Sequence, residues 1–293
     1  MTSWSGVAEA YRRSFATLCA GTIDILLAGT EPSSGDNGLP ARGRLRHLDA
    51  GCGTGQLALA AARCGRDVVA ADKDPDMAAL TRATAGGIDD SDPALEGGVS
   101  VLEAGSPTLP CPDASFDAIS ANFVINHVPD PRATMQDLAR LAAPSARIAL
   151  TIWPAAPGPH LASYGEAARL AGATPVPSAR LPPELDFPRS VEGLAGLVGA
   201  AGLRVLEARE LAWTWKTSAE DLMAGIAGGI ATPGRIHRAQ TPQVRARIEE
   251  HVRDLWNHWA AEGADAAEGD AANGAETVLA FPVAAPYVLA VRD

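Results

Sequence analysis

The chain has 293 residues, of which 47% are apolar, and it carries a formal net charge of −11 at pH 7 with a pI near 5.0. This length and composition suffice for a full hydrophobic core. The acidic balance disfavours nucleic acids and anionic membrane surfaces as partners, because phosphate groups are bound by clustered Lys and Arg.

Other features of the composition bear on location and on metals. No apolar run approaches the roughly 20 residues of a membrane span, and the first residues lack the apolar segment of a secretory signal. The four cysteines have no paired spacing and no C-x-x-C motif, so neither disulfides nor a bound metal is expected. We therefore expect a cytoplasmic protein. Abundant Ala, Gly, Pro and Arg with few Lys are typical of a GC-rich bacterial genome.

The first predicted elements are one or two helices within residues 6–27, where apolar residues from Val7 to Leu26 recur at helical spacing. Tyr11 and Phe15 belong to this pattern and are four residues apart. Residues 29–43 are rich in Gly, Pro and Ser, which predicts a linker.

The most informative stretch is residues 45–77. A short apolar run includes Asp49, three alternating glycines follow, a helical pattern comes next, and a second apolar run stops at Asp72. This order predicts a strand, a glycine loop, a helix and a second strand that ends in an acid. The glycines allow a tight turn and the close approach of a ligand, and the helix after them begins with unpaired N–H groups.

The spacing of the glycines separates two classes of nucleotide-binding loop. A dinucleotide-binding loop has the pattern G-x-G-x-x-G. Here Gly51, Gly53 and Gly55 follow G-x-G-x-G, and Gln56 stands where the dinucleotide pattern has its last glycine. The loop of an NAD-linked oxidoreductase is therefore the disfavoured alternative.

The series of acid, glycine loop, helix, strand and acid resembles motif I of the class I S-adenosylmethionine-dependent methyltransferases, in particular the ubiquinone-type small-molecule methyltransferases. The resemblance implies an α/β fold with a seven-stranded Rossmann-like sheet, helices on both faces and a helical lid. It implies S-adenosyl-L-methionine (SAM) as the cofactor, with Asp72 on the ribose hydroxyls and Lys73 also in the cofactor site. The residues that it assigns to the methionine end are Asp49, Gly51, Cys52, Gly53 and Gly55.

Two further segments resemble parts of the family's cofactor site. Met77 corresponds to an apolar residue that packs on the adenine, although a core position is an equal alternative. Residues 105–117 resemble the family's G-D-A-x-x-L-P-F-P-x-x-S-F-D pattern, but Gly105 replaces the acid that meets the adenine amino group. We therefore expect backbone groups of Gly105 and Ser106 to recognise the adenine.

A predicted fourth strand at residues 116–124 leads into a segment that resembles the family's L-x-H-V-x-D-P motif. Sheets of this kind bind ligands at the carboxyl ends of their parallel strands. Asn122 and Phe123 are therefore expected beside the cofactor. His127 is either a general base near neutral pH or, as we prefer, a residue that orders the loop.

The resemblance also covers the N-terminal helix, which lies over the cofactor in ubiquinone-type methyltransferases. Trp4, Ala8, Tyr11 and Phe15 follow that pattern. Tyr11 then covers the cofactor or places its hydroxyl near the acceptor, and the alternative is a plain core contact. The candidate catalytic residues are Tyr11, His127 and His160, with Glu184 as a further candidate base.

Beyond a predicted fifth strand at residues 146–153, the pattern of the methyltransferase core is interrupted. A sixth strand is predicted at residues 203–215, helices at 217–261, an acidic low-complexity stretch at 261–276 and a seventh strand at 286–291. The predicted division of the chain is 1–28 as cofactor-covering helices, 45–153 as the SAM-binding core, 154–201 and 216–276 as lid insertions, and 202–215 and 277–293 as the last core strands.

By resemblance, the lid selects the substrate, and its aromatic residues are where we expect an acceptor pocket. These residues are Trp213, Trp215, Trp256, Trp259, His160, His237, His251 and His258. Aromatic walls with few polar groups suit a planar or apolar small molecule. For any single tryptophan, a place in the core of the lid is the more common alternative.

We expect methyl transfer to a small-molecule acceptor, an aromatic or apolar specialised metabolite. The narrower expectation is carbon methylation of an indole-containing compound. One alternative is a protein of this fold that binds SAM without transferring a methyl group, as a cyclase or a partner protein, and Gly105 is the observation that supports it. No nucleic acid or membrane partner is expected, and the sequence permits a homodimer.

Overall fold

The computed structural model describes residues 6–32, 43–86, 97–177, 181–261 and 277–293. Trp4, most of the predicted 29–43 linker and nearly all of the predicted 261–276 stretch lie outside the described residues. Within them, the strands are β1 Arg46–Ala50, β2 Asp67–Asp72, β3 Val99–Glu103, β4 Phe116–Asn122, β5 Ala142–Thr151, β6 Arg204–Ser218 and β7 Val278–Val291. The helices are α1 Ala8–Arg13, α2 Phe15–Ala20, α3 Ile23–Gly29, α4 Gln56–Arg63, α5 Pro75–Gly86, α6 Pro131–Leu141, α7 Pro159–Leu170, α8 Val191–Ala200, α9 Ala219–Ala227, α10 Ala231–Arg238 and α11 Pro242–Asn257.

The seven described strands form one sheet in the order β3-β2-β1-β4-β5-β7-β6. β1 to β5 pair in parallel, and β7 runs antiparallel to both of its neighbours, β5 and β6. The central strands are apolar runs because helices cover both of their faces. This architecture confirms the predicted seven-stranded α/β fold.

The last two strands are longer than the sequence pattern predicted. β7 begins at Val278, eight residues before the predicted start, and it pairs with β6 as far as Ser218. The sequence pattern did not indicate the first part of this strand because it contains Pro282 and Pro286, and proline is rare inside sheets. Both are tolerated because β5 pairs with β7 only from Tyr287 onward. The result is a two-stranded ribbon that extends beyond the sheet.

The hydrophobic core lies on both faces of the sheet. α3 and α4 cover one face with Leu26, Leu27 and Leu57, and α6 covers the other with Met135 and Leu138. α8 also packs on the sheet through buried leucines, against β6 and β7. The predicted lid segment 154–201 therefore contains α8, which is a helix of the core layer, and α7, which packs on α11.

A third hydrophobic cluster joins the lid to the N-terminal helices. α7, α9 and α11 pack with α1, α2 and the β6–β7 ribbon. Trp215 and Trp256 are buried in this cluster, whereas Trp213 and Trp259 are half-buried at its edge. Among the described residues, no helix combines the length and the apolar character needed to cross a lipid bilayer.

A buried arginine links α3 to three strands. Arg66, at the entry to β2, donates to Thr30 Oγ1 at 2.7 Å and to the carbonyl of Leu27 at 2.8 Å, and it pairs with Glu31. It also lies 2.9 Å from Nδ1 of His47 on β1. Because arginine can only donate, this Nδ1 is the acceptor, and Nε2 carries the proton that it shares with Ser120 of β4 at 3.0 Å.

The environment of His47 agrees with a neutral ring. Burial, and then the charge of Arg66, lower the pKa of His47 to about 3. A neutral imidazole can therefore accept from Arg66 and donate to Ser120 throughout the physiological pH range. The chain of hydrogen bonds fixes α3 against β1, β2 and β4, which is the part of the sheet that carries the glycine loop.

We expect Arg66→Ala to lower the free energy of unfolding by about 2–4 kcal/mol, because several buried hydrogen bonds are lost and a cavity remains. Denaturant unfolding followed by circular dichroism measures this loss. The control is Arg63→Ala on the exposed side of α4, which should change stability by less than about 0.5 kcal/mol. Equal effects of the two variants would contradict a structural role for Arg66.

Candidate functional site

The glycine loop between β1 and α4 is held by hydrogen bonds from three directions. The N–H groups of Gly51 and Cys52 both donate to the carbonyl of Ala71, at 2.7 and 2.9 Å. The N–H of Gly53 donates to Oδ2 of Asp72 at 2.9 Å. From α5, the hydroxyl of Thr81 donates to the carbonyl of Gly53 at 2.9 Å. The loop is therefore fixed before any ligand binds.

Two positions in this loop require glycine for different reasons. Gly51 has φ of +76°, and a Cβ there would lie 2.5 Å from the side chain of Val124. Gly53 has φ of +54°, and a Cβ there would lie 3.5 Å from the ring of Tyr11. A side chain at 51 would displace the segment after β4, and one at 53 would narrow the gap below Tyr11.

A cavity of about 620 Å³ opens at the carboxyl ends of the parallel strands. Its volume lies within the usual range for a small-molecule site. The predicted site residues that border it are Tyr11, Gly51, Gly53, Asp72, Lys73, Met77, Gly105, Ser106, Asn122, Phe123, His127 and His160. Asp49 and Cys52 border a smaller space behind the loop, and Gly55 caps α4 against Thr81 without reaching the large cavity.

Two carboxyl groups lie under the loop. Asp72 accepts from Gly53 and, through Oδ1, from the N–H of Asp74 at 2.9 Å. Asp49 is 1% exposed, and its Oδ2 has no hydrogen-bond partner among the described residues. Burial, and then the charge of Asp72, raise the pKa of Asp49 to about 7, and burial also raises the pKa of Asp72. The site holds negative charge and has capacity for more hydrogen bonds.

The position of Gly105 leaves no room for a side chain. A Cβ at Gly105 would lie 2.6 Å from Cβ of Lys73, so a larger residue would require β2 and β3 to separate at their ends. Lys73 is exposed, and Met77 is 3% exposed at the start of α5. At this end of the cavity, the groups available to a planar ring are the Met77 side chain and the backbone of residues 105 and 106.

Asn122 borders the cavity, but its amide is engaged within the protein. Its Oδ1 accepts from Thr22 at 2.8 Å and from Thr151 at 2.6 Å, and its Nδ2 donates to the carbonyl of Cys19 at 3.0 Å. These bonds join the N-terminal helices to the ends of β4 and β5. The sequence placed Asn122 at the correct edge but gave no sign of these partners.

Phe123 forms part of the cavity wall in a strained conformation. Its φ is +58°, which is uncommon for a bulky residue. The ring stacks on Trp153 with centroids 3.7 Å apart and an interplanar angle of 11°. Its N–H donates to the carbonyl and the hydroxyl of Thr151 at 3.1 Å each. The strain places two stacked rings beside the cavity.

Tyr11 lies over the glycine loop. Its hydroxyl donates to Sγ of Cys19 at 3.5 Å, and Cys19 also borders the cavity. Burial, together with Cys19 and the acids Asp72 and Asp49, raises the pKa of Tyr11 well above its ordinary value. The phenol therefore stays protonated and acts as a hydrogen-bond donor. The sequence did not single out Cys19 as a partner, although it is eight residues after Tyr11.

His127 and His160 differ in their surroundings. The side chain of His127 is open to the cavity, and enclosure by the surrounding protein, with the charges of Lys73 and Arg189, lowers its pKa. His160 is 3% exposed, and burial lowers its pKa to about 4. Glu184, the remaining candidate base, does not border the cavity, and its backbone carbonyl accepts from Arg132 at 2.5 Å.

Comparison with proteins of known structure gives the same fold. The YcgJ protein from Bacillus subtilis aligns with 93% of this chain and 99% of its own, at a TM-score of 0.51 and 16% identity. The 4+2 cyclase SpnF aligns with 95% of this chain and 83% of its own, at a TM-score of 0.50 and 18% identity. At such low identity, these likenesses show the fold alone.

Sequence relatives match parts of the chain. A demethylmenaquinone methyltransferase of Clavibacter sepedonicus is 31% identical over 153 residues, which are 52% of this chain and 57% of that protein. A ubiquinone biosynthesis O-methyltransferase of Xylella fastidiosa is 36% identical over 106 residues, 35% of this chain and 39% of that protein. The chain thus spans little more than half the length of the first of these curated relatives and less than half the length of the second.

A family model described as a methyltransferase domain matches residues 11–208, which is more than half of the 293 residues. The match includes the glycine loop, Asp72 and the segment after β4. The chain therefore belongs to the methyltransferase domain family, as its resemblance to class I SAM-dependent methyltransferases predicted.

Proposed function

We propose that the protein transfers a methyl group from SAM to a small-molecule acceptor. The observation that carries the proposal is one continuous cavity, bordered at one end by the glycine loop and Asp72 and at the other by lid residues such as His160. A donor and an acceptor must meet in line for methyl transfer, and a cavity that joins the two ends allows this.

The residues at the loop end fit the donor. Asp72 has a lone pair free on each carboxylate oxygen for a ribose diol, since each oxygen accepts one N–H bond. The carboxylate of Asp72 and that of Asp49, whose Oδ2 has no hydrogen-bond partner among the described residues, favour a ligand that carries a sulfonium and an ammonium group. Met77 and the backbone at Gly105 and Ser106 are left for the adenine.

Methyl transfer requires little from the protein beyond the alignment of donor and acceptor and the exclusion of water. SAM supplies a methyl group that is already activated by the positive sulfur. Tyr11, whose phenol stays protonated and donates a hydrogen bond, and the stacked pair Phe123 and Trp153 cover the place where donor and acceptor meet. Their contribution is to orient the reactants and to keep water out.

The lid end favours an aromatic or apolar acceptor. Its cavity-lining side chains are mostly apolar, with Leu161, Ile230 and Pro282 among them. The relatives are named for methylation of demethylmenaquinone and for a step of ubiquinone biosynthesis, which agrees with a ring-containing acceptor. The finer proposal is carbon methylation of an indole-containing specialised metabolite.

Calorimetric titration with SAM, its demethylated product S-adenosylhomocysteine and NADH tests the donor. Binding of both sulfur ligands but not of NADH supports the proposal, and candidate acceptors can then be screened with isotopically labelled methyl donor. Binding without methyl transfer to any acceptor would favour the alternative of a SAM-binding protein that catalyses a different reaction. Absence of binding to either sulfur ligand would refute the assignment.

We expect Asp72→Ala to weaken SAM binding by about 1–3 kcal/mol, since charge-assisted hydrogen bonds to the ribose are lost. The same calorimetric titration measures the change. Asp67→Ala is the matched control, because Asp67 lies at the other end of β2 and its side chain is 53% exposed. If both variants bind SAM as tightly as the wild type, Asp72 does not belong to the donor site.

We expect SAM binding to release a proton near pH 7 through Asp49. The pKa of this buried carboxyl is raised to about 7 in the free protein, and a cationic ligand nearby lowers it, so the ionised form is favoured in the complex. Affinity should therefore rise as the pH increases toward 7 and level off above it. Calorimetry in buffers of different ionisation enthalpy counts the released protons, and Asp49→Asn should reduce their number.

A further inference from the structure

The side of the cavity opposite the glycine loop contains a buried imidazole that has no hydrogen-bond partner in the part of the chain that the structure describes. His160 borders the cavity from the first turn of α7. Its ring makes no hydrogen bond with any described residue, and Nδ1 is fully enclosed. Buried polar groups in native proteins nearly always have a partner, so an unpartnered one beside a cavity points to a ligand that supplies it.

Aromatic rings surround His160. The centroids of Trp215 and Phe281 lie 5.4 and 5.8 Å from the imidazole centroid, both edge-on, and Phe15 lies at 6.3 Å. Trp215 is fixed because its Nε1 donates to the hydroxyl of Thr17 at 3.0 Å. We call Phe15, His160, Trp215 and Phe281 the aromatic recess. Of its four rings, Phe15 and His160 border the cavity, whereas Trp215 and Phe281 are buried in the packed cluster beside them.

Helix α7 holds the imidazole rigidly. One turn further along the helix, Tyr164 is fully buried, and its hydroxyl lies 3.0 Å from Nδ1 of His237 on α10. At the other end, Arg247 of α11 donates twice to the carbonyl of Ala171, at 2.9 and 3.2 Å. The position of His160 is thus set before a ligand arrives, which lowers the entropic cost of binding.

The ring is also packed against the backbone that precedes α7. A Cβ at Gly158 would lie 2.9 Å from Cε1 of His160, so only glycine leaves room for this ring position. The helix N-terminus disfavours a positive charge on the imidazole. Together with burial, which holds the pKa of His160 near 4, this keeps the ring neutral at physiological pH. A neutral imidazole has one nitrogen that can accept a hydrogen bond.

We propose that the cavity wall at Phe15 and His160, where the aromatic recess meets the cavity, is the acceptor subsite and that His160 accepts a hydrogen bond from an O–H or N–H group on a neutral aromatic acceptor. This inference rests on the proposed methyl transfer and names its substrate class. A charged acceptor would lose its hydration against these rings without a compensating ion. Among the cavity-lining residues of β6 and β7, the charged one is Glu210, which is exposed to solvent.

Two probes of equal size test the hydrogen bond. Indole has an N–H group, and benzofuran has the same ring shape without it. Calorimetry on the full chain, with and without S-adenosylhomocysteine, should show indole binding about fivefold tighter than benzofuran, as one hydrogen bond of ordinary strength provides. Tryptamine and indole-3-acetate serve as cationic and anionic probes and should bind more weakly than indole.

Variants then assign the preference to one residue. His160→Phe keeps an aromatic ring and should abolish the preference for indole over benzofuran, and His160→Gln should retain part of it. His251→Phe, at a half-buried position of α11 outside the cavity, is the matched control and should bind like the wild type. If the variants do not fold, ¹⁵N NMR of histidine-labelled wild type decides, because indole but not benzofuran should shift one buried ring.

The outcomes separate the two proposals. A preference for indole that persists in His160→Phe, or its absence in the wild type, would overturn the role of His160. Tighter binding of tryptamine or indole-3-acetate than of indole would overturn the neutral substrate class. Both results can occur while S-adenosylhomocysteine still binds, which leaves the methyltransferase proposal intact. Failure of S-adenosylhomocysteine to bind refutes that proposal, and the titrations without it still test the recess.

Discussion

The hydrogen bond from the N–H of Gly53 to the carboxylate of Asp72 is the interaction on which the site depends. It ties the loop after β1 to the end of β2, and two further bonds to the carbonyl of Ala71 close the same gap. Because Gly51 and Gly53 both have positive φ, this turn brings the backbone close to the segment after β4 and to Tyr11. One acid therefore shapes the loop and still faces the cavity.

The electrostatics of the site follow from this arrangement. Asp49 and Asp72 lie under one loop, and Oδ2 of Asp49 has no hydrogen-bond partner among the residues that the structure describes. Burial raises the pKa values of both carboxyl groups, and the charge of Asp72 raises that of Asp49 further, which costs stability unless a cation is nearby. Binding sites commonly retain such unfavourable features because the ligand compensates them. A cationic group bound at the loop end would therefore stabilise the protein.

The second constraint is the ribbon formed by β6 and β7 beyond the edge of the sheet. It carries Trp215 and Phe281 away from the core layers and gives the lid helices a surface to pack on. α2 and α7 meet the same surface, so Phe15 and His160 come to lie beside these rings. The lid is thus part of one packed cluster with the N-terminal helices, and the cavity lies between that cluster and the parallel strands.

The sequence by itself determined the loop end of the site. The periodicity of the apolar residues, the spacing of the glycines and the acids at the strand ends are local signals. They identified the α/β fold, the family and the residues around the loop. Only the tertiary structure decided the lid end and the contacts of the N-terminal helices and Asn122. The bonds of Asn122 to Thr22 and Thr151, the pair of Tyr11 and Cys19, and the rings around His160 join residues about 8 to 145 positions apart. The predicted β7 was too short because its prolines break the strand pattern. The prolines are tolerated because β5 does not pair with that part of β7, and only the folded sheet shows which strands pair there.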